Sequence, residues 1–331
     1  MTFVRIGGVA HHVVVEGSGP VCVLSAGLGL SWFDWDPVVP LLAPYRTVVR
    51  FDRPGHGLSA PAAAPPTAAG EADRIAALLD ALDAGPATVV GHSIAGFHAE
   101  AFARLHPART AALVLVDSSV EEHPRPSRAP AVSRAVGALL SAAGVPAALG
   151  PAVRRLSVRR DPAPTELIRR VYRTSRVLRG TLLENAHYGA VAAGLLALRD
   201  SHPLPPGLPV TVLAAPDGSA RWEQRQRTLA RRLDASYEAA VPSGHLVMLD
   251  RPEAVARAVL HPGGSGRPDQ SGQGHSGPPD HPGHSGPQGA LGTQGTPGLQ
   301  ASQDTPGPQG APGPPGAPAV RWRRRRSRRT P

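Results

Sequence analysis

The sequence predicts an α/β protein: a mostly parallel sheet with helices on both faces, interrupted by a helical insertion. Three observations carry this. Through the first 118 residues, short β-branched runs alternate with longer stretches of helical period, the pattern of strand–helix–strand units. About 87 residues, 119–205, then follow with no strand-like run and a high content of Ala, Leu and Arg. The alternation resumes from Val210 to Leu260.

Each element has its own signal. His11 to Glu16, Val21 to Ser25, Thr47 to Asp52, Thr88 to Gly91 and Ala112 to Val116 are compact runs rich in Val and Leu, of strand length. Helical segments fall between them at Asp36 to Ala43, Ala68 to Asp83 and Ile94 to His106. For the second of these, Thr67 is the expected N-cap, and Gly85 with Pro86 the stop. After the insertion come a strand at Val210 to Ala214, a helix from about Ala220 to Leu233, a strand at Ser236 to Val241 and a last helix from Pro252 to Leu260. Near-continuous apolar strands separated by helices imply a parallel sheet covered on both sides.

Composition separates a foldable body from a tail. Of the 75 Gly and Pro residues, 30 lie between His261 and Pro331. From Gly274 to Gly316, counting by threes, glycine fills 12 of 15 positions, with Asp280, Ala301 and Asp304 interrupting. Interruptions in so short a Gly-X-Y tract fit a disordered, partly extended linker better than a triple helix. The terminal RWRRRRSRR then implies weak, sequence-indifferent contact with polyanions. The tail holds eight Arg and three Asp, so it supplies half of the formal charge of +10. All 35 basic residues are Arg, a coding bias rather than a sign of a specific nucleic-acid partner. Within the body, residues 119–205 carry 13 Arg against 6 acids, which is read as solvated helix surface, the alternative being a positive inner face that attracts an anionic substrate. The lone Cys22 cannot form an intramolecular disulfide. No run of about 18 apolar residues occurs, so no membrane association is expected, and the expected location is cytoplasmic.

Three short motifs carry the chemistry, each at the end of a strand. RFDRPGHGLS runs from Arg50 to Ser59. Gly91-His92-Ser93-Ile94-Ala95-Gly96 follows ATVV and leads into a helix. Pro242-Ser243-Gly244-His245 precedes LVMLDRPEAVARAV. A serine on a tight strand-to-helix turn needs neighbours without bulk two positions away on either side. Gly91 meets that need, and Ala95 departs from it by a methyl group.

In this order, the three motifs resemble the α/β-hydrolase superfamily, over about residues 1–260. The first is similar to its D-x-P-G-x-G-x-S loop, the second to its nucleophile elbow and the third to its catalytic-histidine turn. The resemblance implies an eight-stranded, mostly parallel sheet with a helical cap after strand 6. Core segments would be 1–118 and 206–260, the cap 119–205, and a disordered tail 261–331. It further implies Ser93 as nucleophile and His245 as general base. Asp217 is favoured as the acid because it follows the penultimate strand 28 residues before His245; Asp117, at the tip of LVLVD, is the alternative. Segment AAPDGSA departs from the usual glycine-containing acid loop. Ile94 and Leu28 would supply the oxyanion-hole N–H groups, the latter from Ala26-Gly27-Leu28-Gly29, where Ala26 replaces the family's histidine. Trp32 and Trp35 are read as packing residues.

Such a site needs an imidazole because a serine hydroxyl is a poor nucleophile near neutrality. The function expected is cleavage of an ester or related acyl bond of a small molecule through a Ser93 acyl-enzyme, with no cofactor and no metal. A carbon–carbon bond hydrolase or cofactor-free perhydrolase would use the same triad, and a non-catalytic binding protein is the rival from another class. A scaffold organised by the tail is a further one. Serine at position 93 argues against epoxide hydrolase and haloalkane dehalogenase chemistry, which calls for aspartate there.

Overall fold

The computed structural model describes residues 2–125, 130–158 and 161–264. Eight strands form one sheet: β1 (Thr2–Ile6), β2 (Val9–Glu16), β3 (Val21–Ser25), β4 (Thr47–Phe51), β5 (Ala87–His92), β6 (Thr110–Val116), β7 (Val210–Ala214) and β8 (Ser236–Ala239). Their order is β1-β2-β4-β3-β5-β6-β7-β8. Strand β2 pairs antiparallel with both β1 and β4, and all later pairings are parallel. Strand β1 gives no sequence signal because it is an edge strand whose residues stay largely accessible, so no apolar alternation is required of it.

Helices α1 (Val39–Leu42), α2 (Ala68–Ala81), α3 (Ala95–Leu105), α8 (Ala220–Arg232), α9 (Val247–Asp250) and α10 (Pro252–Leu260) cover the sheet. The period-two alternation of the strands sends side chains to two separate cores. Val23, Val49, Val89 and Leu113 pack with Ile75 and Leu79 of α2 and Phe102 of α3. Cys22, Leu24, Val48, Val90 and Val114 pack on the other face with Leu42 of α1 and Val255 and Val259 of α10. Trp35 is fully buried in this second core, and Trp32 is buried against Phe33 and His12. Thr67 caps α2 as expected, its hydroxyl accepting from Gly70 N at 2.9 Å. Where one helix was expected at Asp36 to Ala43, the chain instead makes a 3-10 turn at Trp32–Trp35 and the single turn α1, with Pro40 inside it.

Between β6 and β7 the chain makes α4 (Pro130–Ala142), α5 (Val145–Ser157), α6 (Thr165–Tyr172) and the long α7 (Ser175–Ser201). A helical insertion therefore stands between β6 and β7. Among the described residues no single helix is long and apolar enough to cross a membrane. The Gly-X-Y tract and the Arg-rich end lie outside the described residues.

Helix α7 reaches the sheet through a glycine contact. A Cβ at Gly180 would lie 2.7 Å from the Gly55 carbonyl oxygen, and one at Gly55 would lie 2.9 Å from Gly180 Cα. Only two glycines permit that approach. It sets the height at which α7 crosses the carboxyl ends of the parallel strands, the edge at which sites in open α/β sheets form.

Candidate active site

Ser93 sits between β5 and α3 with φ of 55°, in the left-handed region that a non-glycine residue adopts only when its surroundings compel it. Three backbone hydrogen bonds hold the turn. Ser93 N donates to Val116 O at 3.2 Å, while Ser93 O accepts from Gly96 N at 2.9 Å and Ser119 N at 3.0 Å. A Cβ at Gly91 would overlap the Ala95 carbonyl, and one at Gly96 would overlap the Ser118 hydroxyl. The second position intolerant of bulk is thus Gly96, directly after Ala95. This explains why a methyl at Ala95, itself fully buried, is accommodated.

His245 Nδ1 donates to Asp117 Oδ2 at 2.6 Å. The carboxylate on the histidine is that of Asp117 and not that of Asp217, the residue favoured from the sequence. Asp117 ends β6, is 2% exposed, and receives two more donors on Oδ1: Ala215 N at 2.9 Å and Trp222 Nε1 at 2.8 Å. Asp217 lies one strand farther out, exposed, in a tight turn closed by Ser219 N on Pro216 O at 2.6 Å. That turn serves α8: Ser219 caps the helix, accepting from Trp222 N, and the helix delivers the Trp222 indole to Asp117. Nothing in the sequence marked Trp222.

His245 is 52% exposed on its side chain, and His92 braces it from beneath. The two rings lie 4.6 Å apart, and His92 Nε2 donates to the His245 carbonyl at 2.8 Å. Burial, with the positive charge His245 can carry as a second cause, pushes the His92 imidazole down to about 3. A neutral His92 does not repel a protonated His245. With Nδ1–H given to Asp117, His245 Nε2 is left with a lone pair, the tautomer a general base needs.

The loop after β3 faces this group. Gly27 to Leu30 form a turn, with Leu30 N on Gly27 O at 3.2 Å and Gly29 at φ of 70°. A Cβ at Gly27 would lie 2.7 Å from His92 Nδ1 and 3.1 Å from Ser93 Cβ, so the loop backbone passes directly over the serine. Leu28 N–H belongs to this turn. Ile94 N–H opens α3, where the first amides of a helix have no intrahelical acceptor and the dipole favours negative charge. Structure thus gathers Ser93, His245, Asp117, Leu28 and Ile94 at one end of the central strands and leaves Asp217 outside.

The RFDRPGHGLS segment is a folding device. Asp52 accepts from Trp32 N at 2.9 Å, Leu58 N at 3.0 Å and His12 Nδ1 at 2.9 Å. A side chain at Gly57 would collide with that carboxylate. Ser59 Oγ donates to Asp52 O at 2.7 Å and accepts from His12 N at 2.9 Å. Arg53 is buried and turned under the β3 loop. Among the described residues no group of three or more His, Cys, Asp or Glu side chains is placed to hold a metal ion.

A model of the alpha/beta hydrolase family matches residues 22–258. An uncharacterized protein of Mycobacterium tuberculosis is 34% identical over 118 residues, which is 36% of this chain and 35% of that protein. A pimeloyl-[acyl-carrier protein] methyl ester esterase of Neisseria meningitidis is 36% identical over 120 residues, 35% of this chain and 45% of its own length. The chain thus spans between about a third and under half of these relatives. Among solved structures, an enol-lactonase of Burkholderia xenovorans has a TM-score of 0.60 at 22% identity, covering 78% of this chain and 98% of its own. A thermophilic esterase of Thermogutta terrifontis has a TM-score of 0.59 at 23% identity, with 78% and 97% covered. At such identities these structures show the fold alone.

Proposed function

The chain belongs to the alpha/beta hydrolase family, and from that premise we propose that it is a serine hydrolase cleaving an ester or related acyl bond of a small molecule through a Ser93 acyl-enzyme. The observation that carries this reading is the hydrogen bond from His245 to the buried Asp117 carboxylate beside a strained serine turn. In the first half-reaction Ser93 Oγ attacks the acyl carbon while His245 Nε2 takes its proton. Charge develops on the former carbonyl oxygen and is met by Leu28 and Ile94 N–H, two donors fixed before the substrate arrives. Collapse expels the alcohol, which leaves with the proton from His245. Water then repeats the sequence with His245 as base, releasing the acid and restoring Ser93. Asp117 keeps the imidazole in one tautomer and offsets its transient charge.

Ester cleavage is favoured over other chemistry on this fold by the nucleophile and by the kinship with a methyl ester esterase. An epoxide-opening enzyme would need a carboxylate at position 93.

The test is covalent labelling with a fluorophosphonate. Labelling is expected on Ser93 and should vanish in Ser93→Ala; an unlabelled parent protein, or a variant that labels equally, would overturn the proposal.

A further inference from the structure

Leu28 N–H can serve as an oxyanion donor only if its peptide unit is turned the right way, and the structure shows what turns it. In a trans peptide the C=O and N–H point in opposite directions. The carbonyl paired with Leu28 N–H is Gly27 O. It accepts from Leu30 N within the turn at 3.2 Å and, from outside the loop, from Arg53 Nη2 at 3.0 Å, and Arg53 Nη1 donates to the preceding carbonyl, Ala26 O. A single guanidinium thus grips two successive carbonyls on the side of the loop away from Ser93. Loops of this family carry a histidine where this chain has Ala26; here the bracing comes from the neighbouring strand end.

A buried guanidinium needs a counter-charge. Glu184 of α7 supplies it bidentately, with Arg53 Nε to Oε1 at 2.7 Å and Nη2 to Oε2 at 2.8 Å, both side chains 4% exposed. Burial would raise the Glu184 carboxyl, but the Arg53 charge, followed by that of His56, holds it down to about 2. Glu184 stands one helical turn after Gly180, whose contact with Gly55 seats α7. Next to Gly180, Thr181 meets Gly29 of the same loop, and Tyr172 of α6 donates to Gly29 O at 2.9 Å. The cap therefore holds the oxyanion loop from both ends.

Resting on the serine-hydrolase reading above, we propose that Arg53 is a positioning residue for the oxyanion hole. Held by Glu184, it orients the Gly27–Leu28 peptide toward Ser93 and makes that orientation depend on the seating of the cap helix α7. Withdrawal of α7 would remove the counter-ion of Arg53 and release the loop, so the hole is complete only with the cap in place. Arg53 touches no reacting atom, and its removal should lower kcat while leaving KM nearly unchanged.

The experiment uses the full chain with p-nitrophenyl acetate and Ser93→Ala as the inactive reference. Removing Arg53 alone strands a buried carboxylate and endangers the fold. The deciding variant is therefore Arg53→Met with Glu184→Leu, since apolar replacement of both partners of a buried pair is commonly tolerated. The double variant should melt cooperatively, and its kcat should fall by ~10²-fold, the scale of losing one oxyanion donor, with KM within about 3-fold of the parent. A folded double variant with kcat within about 3-fold of the parent, beside an inactive Ser93→Ala, overturns this proposal and leaves the hydrolase reading intact. Turnover surviving in Ser93→Ala overturns the hydrolase reading itself. Should the double variant not fold, the isosteric Glu184→Gln decides: a lowered kcat at constant KM supports the clamp, and an unchanged kcat removes it.

Discussion

Asp117 gathers His245 Nδ1, Ala215 N and Trp222 Nε1 around one buried carboxylate. On the serine-hydrolase reading it is the acid that fixes the imidazole. Replacing it with asparagine keeps the shape but offers an amide where His245 needs an acceptor. Asp117→Asn is expected to lower kcat on p-nitrophenyl acetate by ~10³- to 10⁴-fold, whereas Asp217→Asn, changed in an exposed turn, should stay within about 3-fold. Equal losses from the two substitutions would contradict this assignment. Sequence reading preferred Asp217 because both aspartates end strands and spacing to the histidine fits the outer one. Which carboxylate reaches His245 depends on where the loop before the histidine crosses the sheet, and residue spacing does not encode that.

At the scale of elements, the β5–α3 turn is made by two close approaches, Gly91 to the Ala95 backbone and Gly96 to the Ser118 side chain, and by three hydrogen bonds. Gly91 and Gly96 have no room for a Cβ, while Ala95 already carries one in the packed interior. Gly96→Ala should lower stability by about 1–3 kcal/mol, the range for inserting a methyl into a packed site, as read from urea denaturation. Ala95→Gly should leave Ser93 open to phosphonylation, since it only removes bulk and adds backbone freedom. A Gly96→Ala protein as stable as the parent would mean that the contact with Ser118 is not what the geometry indicates. The strand-end motif marked this turn in the sequence only together with the two other strand-end motifs, and the position that excludes bulk proves to be Gly96 and not residue 95.

For the molecule as a whole, buried imidazoles make stability depend on pH on the acid side. Burial holds His92 down to about 3 and His98 to about 4, against an ordinary 6.5. Both folded-state values are depressed, so between pH 6.5 and about 4 the unfolded chain binds protons that the folded chain refuses. Their contribution to stability is whole above 6.5 and is lost as the pH falls through that window. Each histidine can add up to ~1.4 kcal/mol per pH unit to the slope of unfolding free energy. His98→Leu should therefore flatten that slope between pH 6 and pH 4.5 by about that amount, measured by urea denaturation at several pH values. A parent and variant with parallel slopes would show that His98 is protonated inside the fold.

The sequence by itself determined the class of the fold, the order of its principal strands and helices, the place of the cap, and the serine turn and histidine loop. The fold class and element order follow from local rules, strand and helix periods and capping residues; the serine turn and the histidine loop follow from the three motifs that resemble the family. Tertiary structure alone decided which aspartate faces His245, that Trp222 also donates to that aspartate, and that Arg53 and Glu184, 131 residues apart, meet beneath the loop after β3. Each of these is a contact between segments whose separation along the chain carries no information about their separation in space. They exist only because the parallel sheet brings its strand ends to one edge and a glycine pair lets the cap helix descend onto it.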